Sequence, residues 1–198
     1  MYKKYTHKLF QNSTALYDDF IKFERAISDL GAEMKVNFAQ YEIDHLAVRV
    51  NNCKDAEIWL TALTQCGKIF CDNVVNGRVI YLIELDEPLD FLGQKVSIIE
   101  LPFPKNKIYP QDGWEHIEFV VPFLLNESID EWQERVITQF NLNYSQTLQL
   151  KVSAPKAERE QLPNPSIAVS FVDKSLNHTT VKIHPYSIKT VVLSEQVN

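Results

Sequence analysis

Cysteine is scarce in this 198-residue chain. The three that occur, Cys53, Cys66 and Cys71, are odd in number and never spaced as C-x-x-C. This pattern argues against a disulfide framework and against a cysteine zinc site. The N-terminal segment is basic but has no apolar stretch typical of a secretory signal. We therefore expect a reducing, cytoplasmic location.

Other absences exclude whole classes of protein. No apolar run approaches the roughly 20 residues that a membrane-spanning helix needs. Neither a Walker loop nor a G-x-G-x-x-G motif occurs, which removes the main support for a nucleotide-binding fold. The formal net charge is −6 and no Lys/Arg cluster offsets it, so nucleic acid is not an expected partner. A small-molecule ligand remains the expected partner.

The first 40 residues predict a helical extension. Leu16, Phe20, Phe23, Ile27 and Leu30 recur at three- and four-residue spacing, which is typical of the buried stripe of a helix. Ser13 or Thr14 is a suitable cap, and Gly31 is placed where a glycine would end the helix.

The rest of the chain predicts the same order of strands and helix twice. Residues 41–104 predict a strand at 44–50, a helix, and strands at 69–75, 78–85 and 95–101, with Asn76-Gly77 as a hairpin turn. Residues 105–198 begin again with a matching strand at 115–121 and a helix that opens on a capping box at 128–131. The predicted fold class is α+β: two tandem β-α-β-β-β modules that form a cupped mixed sheet within one compact domain, preceded by the helical extension.

Four residues of the repeat predict a metal site. Strand alternation puts His45 and His116 on the face opposite the helices, and Glu100 and His184 reach the same face from the last strand of each module. Imidazole and carboxylate ligands suit one divalent ion among Zn, Ni, Fe, Co and Mn. By the same rule, Asp44 and Glu115 are expected to point toward the helices as ordinary charges.

Three more side chains share the predicted ligand face. Arg49 and Lys182 are candidates to hold a substrate carboxylate, and Glu118 is a candidate to transfer a proton or to orient an imidazole. A salt bridge inside the cup is the alternative for each of them. The polar, proline-punctuated segment 153–165 is either a loop that covers the cup or a plain surface insertion.

Several short motifs resemble one family. They are N-G-R at 76–78, I-E-L-P at 99–102, Y-P at 109–110, G-W-E-H at 113–116, L-P-N-P at 162–165 and K-I-H-P-Y-S at 182–187. They resemble the YecM-like family of the vicinal oxygen chelate superfamily, whose members include glyoxalases, epimerases, extradiol dioxygenases and thiol transferases.

The resemblance implies paired modules around a metal held by His45, Glu100, His116 and His184. His184 is a departure, because glutamate often occupies that position. It also implies a metal-dependent enzyme, of the isomerase, lyase or oxidoreductase type, on a small oxygen-rich substrate. The alternative is a non-catalytic metal- or ligand-binding protein. Two modules in one chain can complete one site, which favours a monomer.

Overall fold

The computed structural model describes residues 7–11, 13–75, 77–153 and 161–196. Within these residues, eight strands form one open mixed sheet. The strands are β1 Ile43–Arg49, β2 Gly67–Val75, β3 Arg78–Phe91, β4 Gln94–Pro102, β5 Gly113–Val120, β6 Leu148–Ser153, β7 Ser166–Phe171 and β8 Thr180–His184. The α-helices are α1 Thr14–Glu33, α2 Cys53–Thr64, α3 Ile129–Gln139 and α4 Ile188–Gln196, and short 3-10 helices span Lys8–Phe10, Phe38–Gln40 and Leu142–Tyr144.

The sheet topology confirms the tandem modules. The strand order across the sheet is β2-β3-β4-β1-β5-β8-β7-β6, so the second half mirrors the first about the β1–β5 pair. β1 and β5 are antiparallel to each other, and each is parallel to the last strand of its own module. The α+β fold with an N-terminal helix is therefore as predicted, and β1 and β5 lie at the centre of the sheet.

The hairpin between β2 and β3 is also as predicted. Val75 pairs with Arg78, which leaves a two-residue turn, and Gly77 has a φ of 72° that suits glycine. Asn76 lies outside the described residues, and so does most of the segment 153–165, at 154–160.

Helix α1 begins as predicted but ends later. The Ser13 side chain accepts a hydrogen bond from the Leu16 amide at the start, and the helix continues to Glu33. The expectation that Gly31 ends it was wrong: this glycine is buried inside the helix. A Cβ on Gly31 would lie 2.3 Å from Cε2 of Phe38, so the glycine leaves room for that aromatic ring to pack.

The core lies mainly on the helix face of the sheet. Leu46, Val48, Ile117 and Phe119 are fully buried there, as strand alternation predicts. Trp132 of α3 is also fully buried, and its Nε1–H donates a 2.7 Å hydrogen bond to the Val121 carbonyl. This bond ties α3, the helix of the second module, to the residue that follows β5.

A smaller cluster lies on the concave face, beneath a helix that was not predicted. Val192 of α4 packs with Leu82 and Ile98 there. The backbone N–H of Ile188 donates a 2.9 Å hydrogen bond to Asp44 Oδ2 and fixes the start of α4. At the end of α4, Asn73 Nδ2 donates a 2.7 Å hydrogen bond to Glu195 Oε2. The C-terminal helix thus covers the first-module half of the cup.

Across residues 7–11, 13–75, 77–153 and 161–196, no helix combines the length and the apolar character needed to cross a membrane.

Candidate metal centre

The central strand pair brings two histidines and two glutamates together. His45 on β1 lies opposite Glu118 on β5, and Ala47 lies opposite His116. On the other side of β1, Glu100 of β4 is the partner of Ala47. One ligand atom from each of His45, Glu100, His116 and Glu118 lies within 4.8 Å of the other three. We call these four residues the donor group.

Each histidine Nε2 lies between the two carboxylates, and each carboxylate turns one oxygen toward each histidine. His45 Nε2 lies 3.8 Å from Glu100 Oε2 and 3.6 Å from Glu118 Oε2. His116 Nε2 lies 3.6 Å from Glu100 Oε1 and 3.6 Å from Glu118 Oε1. Ligands 2.0–2.2 Å from a shared ion stand about 3–3.5 Å apart, so a small inward shift would let all four reach one ion.

Ala47 lies beside the donor group and is fully buried. It is the neighbour of His116 on one side and of Glu100 on the other. Because a methyl group projects little above the sheet, the space between the four donor atoms stays free of side-chain carbon.

Two β-bulges correct the expectation for the acidic residues beside the histidines. The pairing of β1 with β5 shifts between Ile43 and His45, where Asp44 is the extra residue, and again where His116 and Trp114 pair with Ala47 and Val48. In the second shift Glu115 is the extra residue. A bulge breaks the alternation of side chains, so each acid turns to the same side as its histidine instead of facing the helices.

Each of these acids orients an imidazole. His45 Nδ1–H donates a 2.8 Å hydrogen bond to Asp44 Oδ2, and His116 Nδ1–H donates to Glu115 Oε2. An ionised carboxylate only accepts, so Nδ1 carries the proton and Nε2 is left to face the donor group. Both Nε2 atoms are buried and have no hydrogen-bond partner among the described residues. Buried polar atoms rarely lack a partner, and a bound cation would supply one.

The donor group favours positive charge. Burial lowers the pKa of His45, but Glu118, Asp44 and Glu100 outweigh it and raise the pKa to about 9. For the acid Glu115 burial has the opposite effect and raises the pKa, yet His116 holds that pKa far below its usual range. A site that stabilises a proton on a buried imidazole has a negative potential, which also attracts a metal cation.

The carboxylates of the donor group stay ionised. Burial raises the pKa of Glu118, but His184, Lys182 and His45 hold it well below the usual range. The pKa of Glu100 is lowered as well, because Lys182 and the two histidines outweigh the effect of burial. Two ionised oxygen donors are thus available beside two imidazoles.

His184 lies next to the donor group and outside it. Its Nε2 is 3.0 Å from Glu118 Oε2, and its Nδ1 is 3.0 Å from Asn164 Oδ1. The strand register explains this position. In the first module Glu100 pairs with the residue two after the histidine of β1. In the second module Lys182 holds that place, and His184 lies two pairs further along β8.

The two candidate substrate-binding residues differ in their contacts. Lys182 Nζ donates a 2.6 Å hydrogen bond to Glu118 Oε1. Arg49 is buried, its Nε is 3.5 Å from Glu115 Oε2, and its guanidinium stacks 5.1 Å from the centre of the Tyr109 ring. Burial lowers the pKa of both cations, but neighbouring carboxylates outweigh burial, so the pKa of each is raised above its usual value.

A cavity of about 270 Å³ opens onto the donor group. Glu100 and Glu118 line it together with Arg49, Lys182 and His184. Helix α4 forms one wall. Ligand cavities run from about 300 to 1,000 Å³, so this one suits a small compound.

The fold and the site together define a class of protein: paired β-α-β-β-β modules in a cupped sheet with a buried cluster of histidine and glutamate where the modules meet. Residues 12–195 match the family model described as "YecM protein". The chain belongs to the YecM family.

Individual relatives agree with this assignment. An uncharacterized protein of Haemophilus influenzae is 59% identical over 179 residues, covering 90% of this chain and 93% of the relative. Protein YecM of Escherichia coli strain K12 is 36% identical over 178 residues, covering 90% and 91%. A solved structure described as "Structural Genomics, Protein EC4020" is 33% identical with a TM-score of 0.77, covering 91% of each chain.

Proposed function

We propose that this chain binds one divalent transition-metal ion through the donor group, and that it is a metal-dependent enzyme acting on a small oxygen-rich compound. One observation carries the proposal. The buried Nε2 atoms of His45 and His116 have no hydrogen-bond partner among the described residues and face the carboxylates of Glu100 and Glu118.

The chemistry of the donors supports a transition metal. Two imidazole nitrogens and two carboxylate oxygens suit Zn, Ni, Fe, Co or Mn, whereas calcium is bound by oxygen alone. Four protein ligands leave two positions open on an octahedral ion, where a substrate could bind. Both modules of one chain contribute donors, so a monomer would suffice for the site.

The remaining side chains have distinct roles in this proposal. When bound, the ion would act as a Lewis acid on a substrate oxygen, which is the chemistry of isomerases and lyases that stabilise an oxyanion. Glu118 would hold the ion through one oxygen, and its other oxygen is the candidate for proton transfer, because the carboxylate borders both the donor group and the cavity. His184 and Lys182 hold that carboxylate in place, and Arg49 faces the cavity.

Metal analysis tests the proposal directly. Plasma mass spectrometry on untagged protein should find near-stoichiometric metal in the wild type, and His116→Ala should lose it while keeping its circular dichroism spectrum. His178→Ala is the matched control, because His178 lies outside the donor group and should not affect metal content. Absence of metal after reconstitution with each of the five candidate ions would contradict the proposal.

A further inference from the structure

Arg49 has hydrogen-bonding capacity that the protein does not use. The side chain lines the cavity, and only 7% of the residue is exposed. Its Nε and Nη1 atoms are buried without a hydrogen-bond partner among the described residues, although Nε forms an ion pair with Glu115 Oε2 at 3.5 Å. A buried guanidinium with free N–H groups is costly unless something completes it. The fork of a guanidinium matches a carboxylate, which it can hold through two parallel bonds.

Lys182 does not offer the same opportunity. One N–H of its ammonium is already bonded to Glu118 at 2.6 Å, and an ammonium lacks the planar fork that holds a carboxylate through two parallel bonds. Among the described residues that line the cavity, Arg49 and His184 have buried side-chain nitrogens without a hydrogen-bond partner, and only Arg49 carries the planar fork of N–H groups that a carboxylate matches.

With a divalent ion bound to the donor group, the charge of the cavity would favour an anion. Arg49, Arg78, Lys151 and Lys182 line it, against the carboxylates of Glu100, Glu118 and Glu195. Glu195 already accepts a hydrogen bond from Asn73, and a divalent ion would offset the other two. The four cations of this cavity lie in a chain whose formal net charge is −6, so their grouping is a local feature and not a general property of the surface.

One wall of the cavity is apolar. Ile188, Val191 and Val192 of α4 face it, together with Ile80 and Leu82 of β3. Val192 and Leu82 also pack in the concave-face cluster, which fixes this wall in position. A ligand with only polar atoms would leave this surface without a partner.

We propose that the cavity binds a small aliphatic 2-oxo or 2-hydroxy carboxylic acid. The carboxylate pairs with Arg49, the 2-oxygen faces the donor group, and the alkyl chain lies on α4. Arg49 is two residues beyond Ala47 on the same strand, about 6.6 Å along it, which is within the reach of such a molecule. This inference rests on the proposed function, because the metal would take the second oxygen.

A ligand series on the wild-type protein tests the class. Isothermal titration would compare 3-methyl-2-oxobutanoate, its methyl ester and glyoxylate. Loss of the charge-assisted bonds should weaken the ester about 10- to 100-fold. Loss of the alkyl chain should weaken glyoxylate about 10-fold or more, because each buried methylene contributes roughly a factor of four. Equal binding of all three, or no binding of any, would overturn the inference.

A variant of Arg49 tests whether this residue causes the preference for the acid over the ester. Arg49→Gln should lose the preference for the acid over the ester while keeping its metal content. Arg25→Gln should keep the preference, because Arg25 is exposed on α1 and outside the cavity. Should Arg49→Gln not fold, the wild-type series decides alone.

Metal content measured on the same samples separates the two proposals. Acid preference that depends on Arg49, in protein that stays metal-free after reconstitution with each candidate ion, would support the carboxylate site and contradict the metal proposal. Bound metal with no preference for the acid would overturn the carboxylate site and leave the metal proposal standing.

Discussion

At the scale of single residues, Ala47 tests whether the space between the donors matters. A larger side chain here would intrude on the donor group without removing any ligand. We expect Ala47→Leu to lose most of its bound metal while it still folds, with a stability cost of about 1–3 kcal/mol from overpacking. Metal content and urea unfolding measure the two effects.

Ala32→Leu is the control for this change, because Ala32 is exposed on α1. It should keep both metal and stability. Full metal occupancy in Ala47→Leu would show that the ion lies elsewhere.

Asp44 makes a second residue-scale prediction. Its Oδ2 accepts from both His45 Nδ1 and the Ile188 amide, so it orients an imidazole and fixes α4 at once. Asp44→Asn keeps the shape and removes the charge. Its metal affinity should fall about 10- to 100-fold, as is typical when a partner of a metal-binding histidine is changed.

Competition with a chromophoric chelator measures that affinity. Asp29→Asn, on the exposed side of α1, should bind metal as the wild type does. An unchanged affinity in Asp44→Asn would mean that the carboxylate does not position the imidazole.

At the scale of elements, helix α3 tests whether a motif read from sequence stabilises the fold. The Ser128 side chain accepts from the Glu131 amide, and Glu131 Oε2 accepts from the Ser128 amide at 2.8 Å. Ser128→Ala should lower the free energy of unfolding by about 1 kcal/mol. Thr138→Ala, exposed in the same helix, should cost little or nothing, and denaturant titration would show both. Equal stability of the two variants would contradict the role of the cap.

The strands show where sequence reasoning succeeds and where it stops. Period-two alternation placed His45 and His116 on the concave face. This prediction was possible because alternation depends only on the sequence of one strand. Alternation failed for Asp44 and Glu115, because a bulge depends on how two strands pair and the pattern of one strand does not show it. The same limit applies to the comparison of Glu100 with His184, because only the pairing registers reveal that Lys182 holds the equivalent place.

Helix α4 was missed for a different reason. Its first residue follows a polar turn, and its stripe of Ile188, Val191 and Val192 is short. Such a stripe has the i, i+3, i+4 spacing of a helix but covers little more than one turn, and its burial depends on a cup formed by strands distant in sequence. A signal was present in the apolar residues after Ser187, but only the fold shows what they cover.

At the scale of the whole molecule, the two modules are related by topology but not by charge. The histidines of β1 and β5 match, yet Ala47 corresponds to Glu118 and Glu100 corresponds to Lys182. The second module thus contributes its carboxylate from its first strand and neutralises it with a lysine. The donor group is complete only where both modules meet, so it could not be read from either repeat alone.

The most direct test of this account is an anomalous difference map from crystals of metal-loaded protein, collected at the absorption edge of the bound metal. The account predicts one peak in contact with Nε2 of His45 and His116 and with oxygens of Glu100 and Glu118. A peak that excludes these residues, or one bound by His184 in place of Glu118, would contradict it.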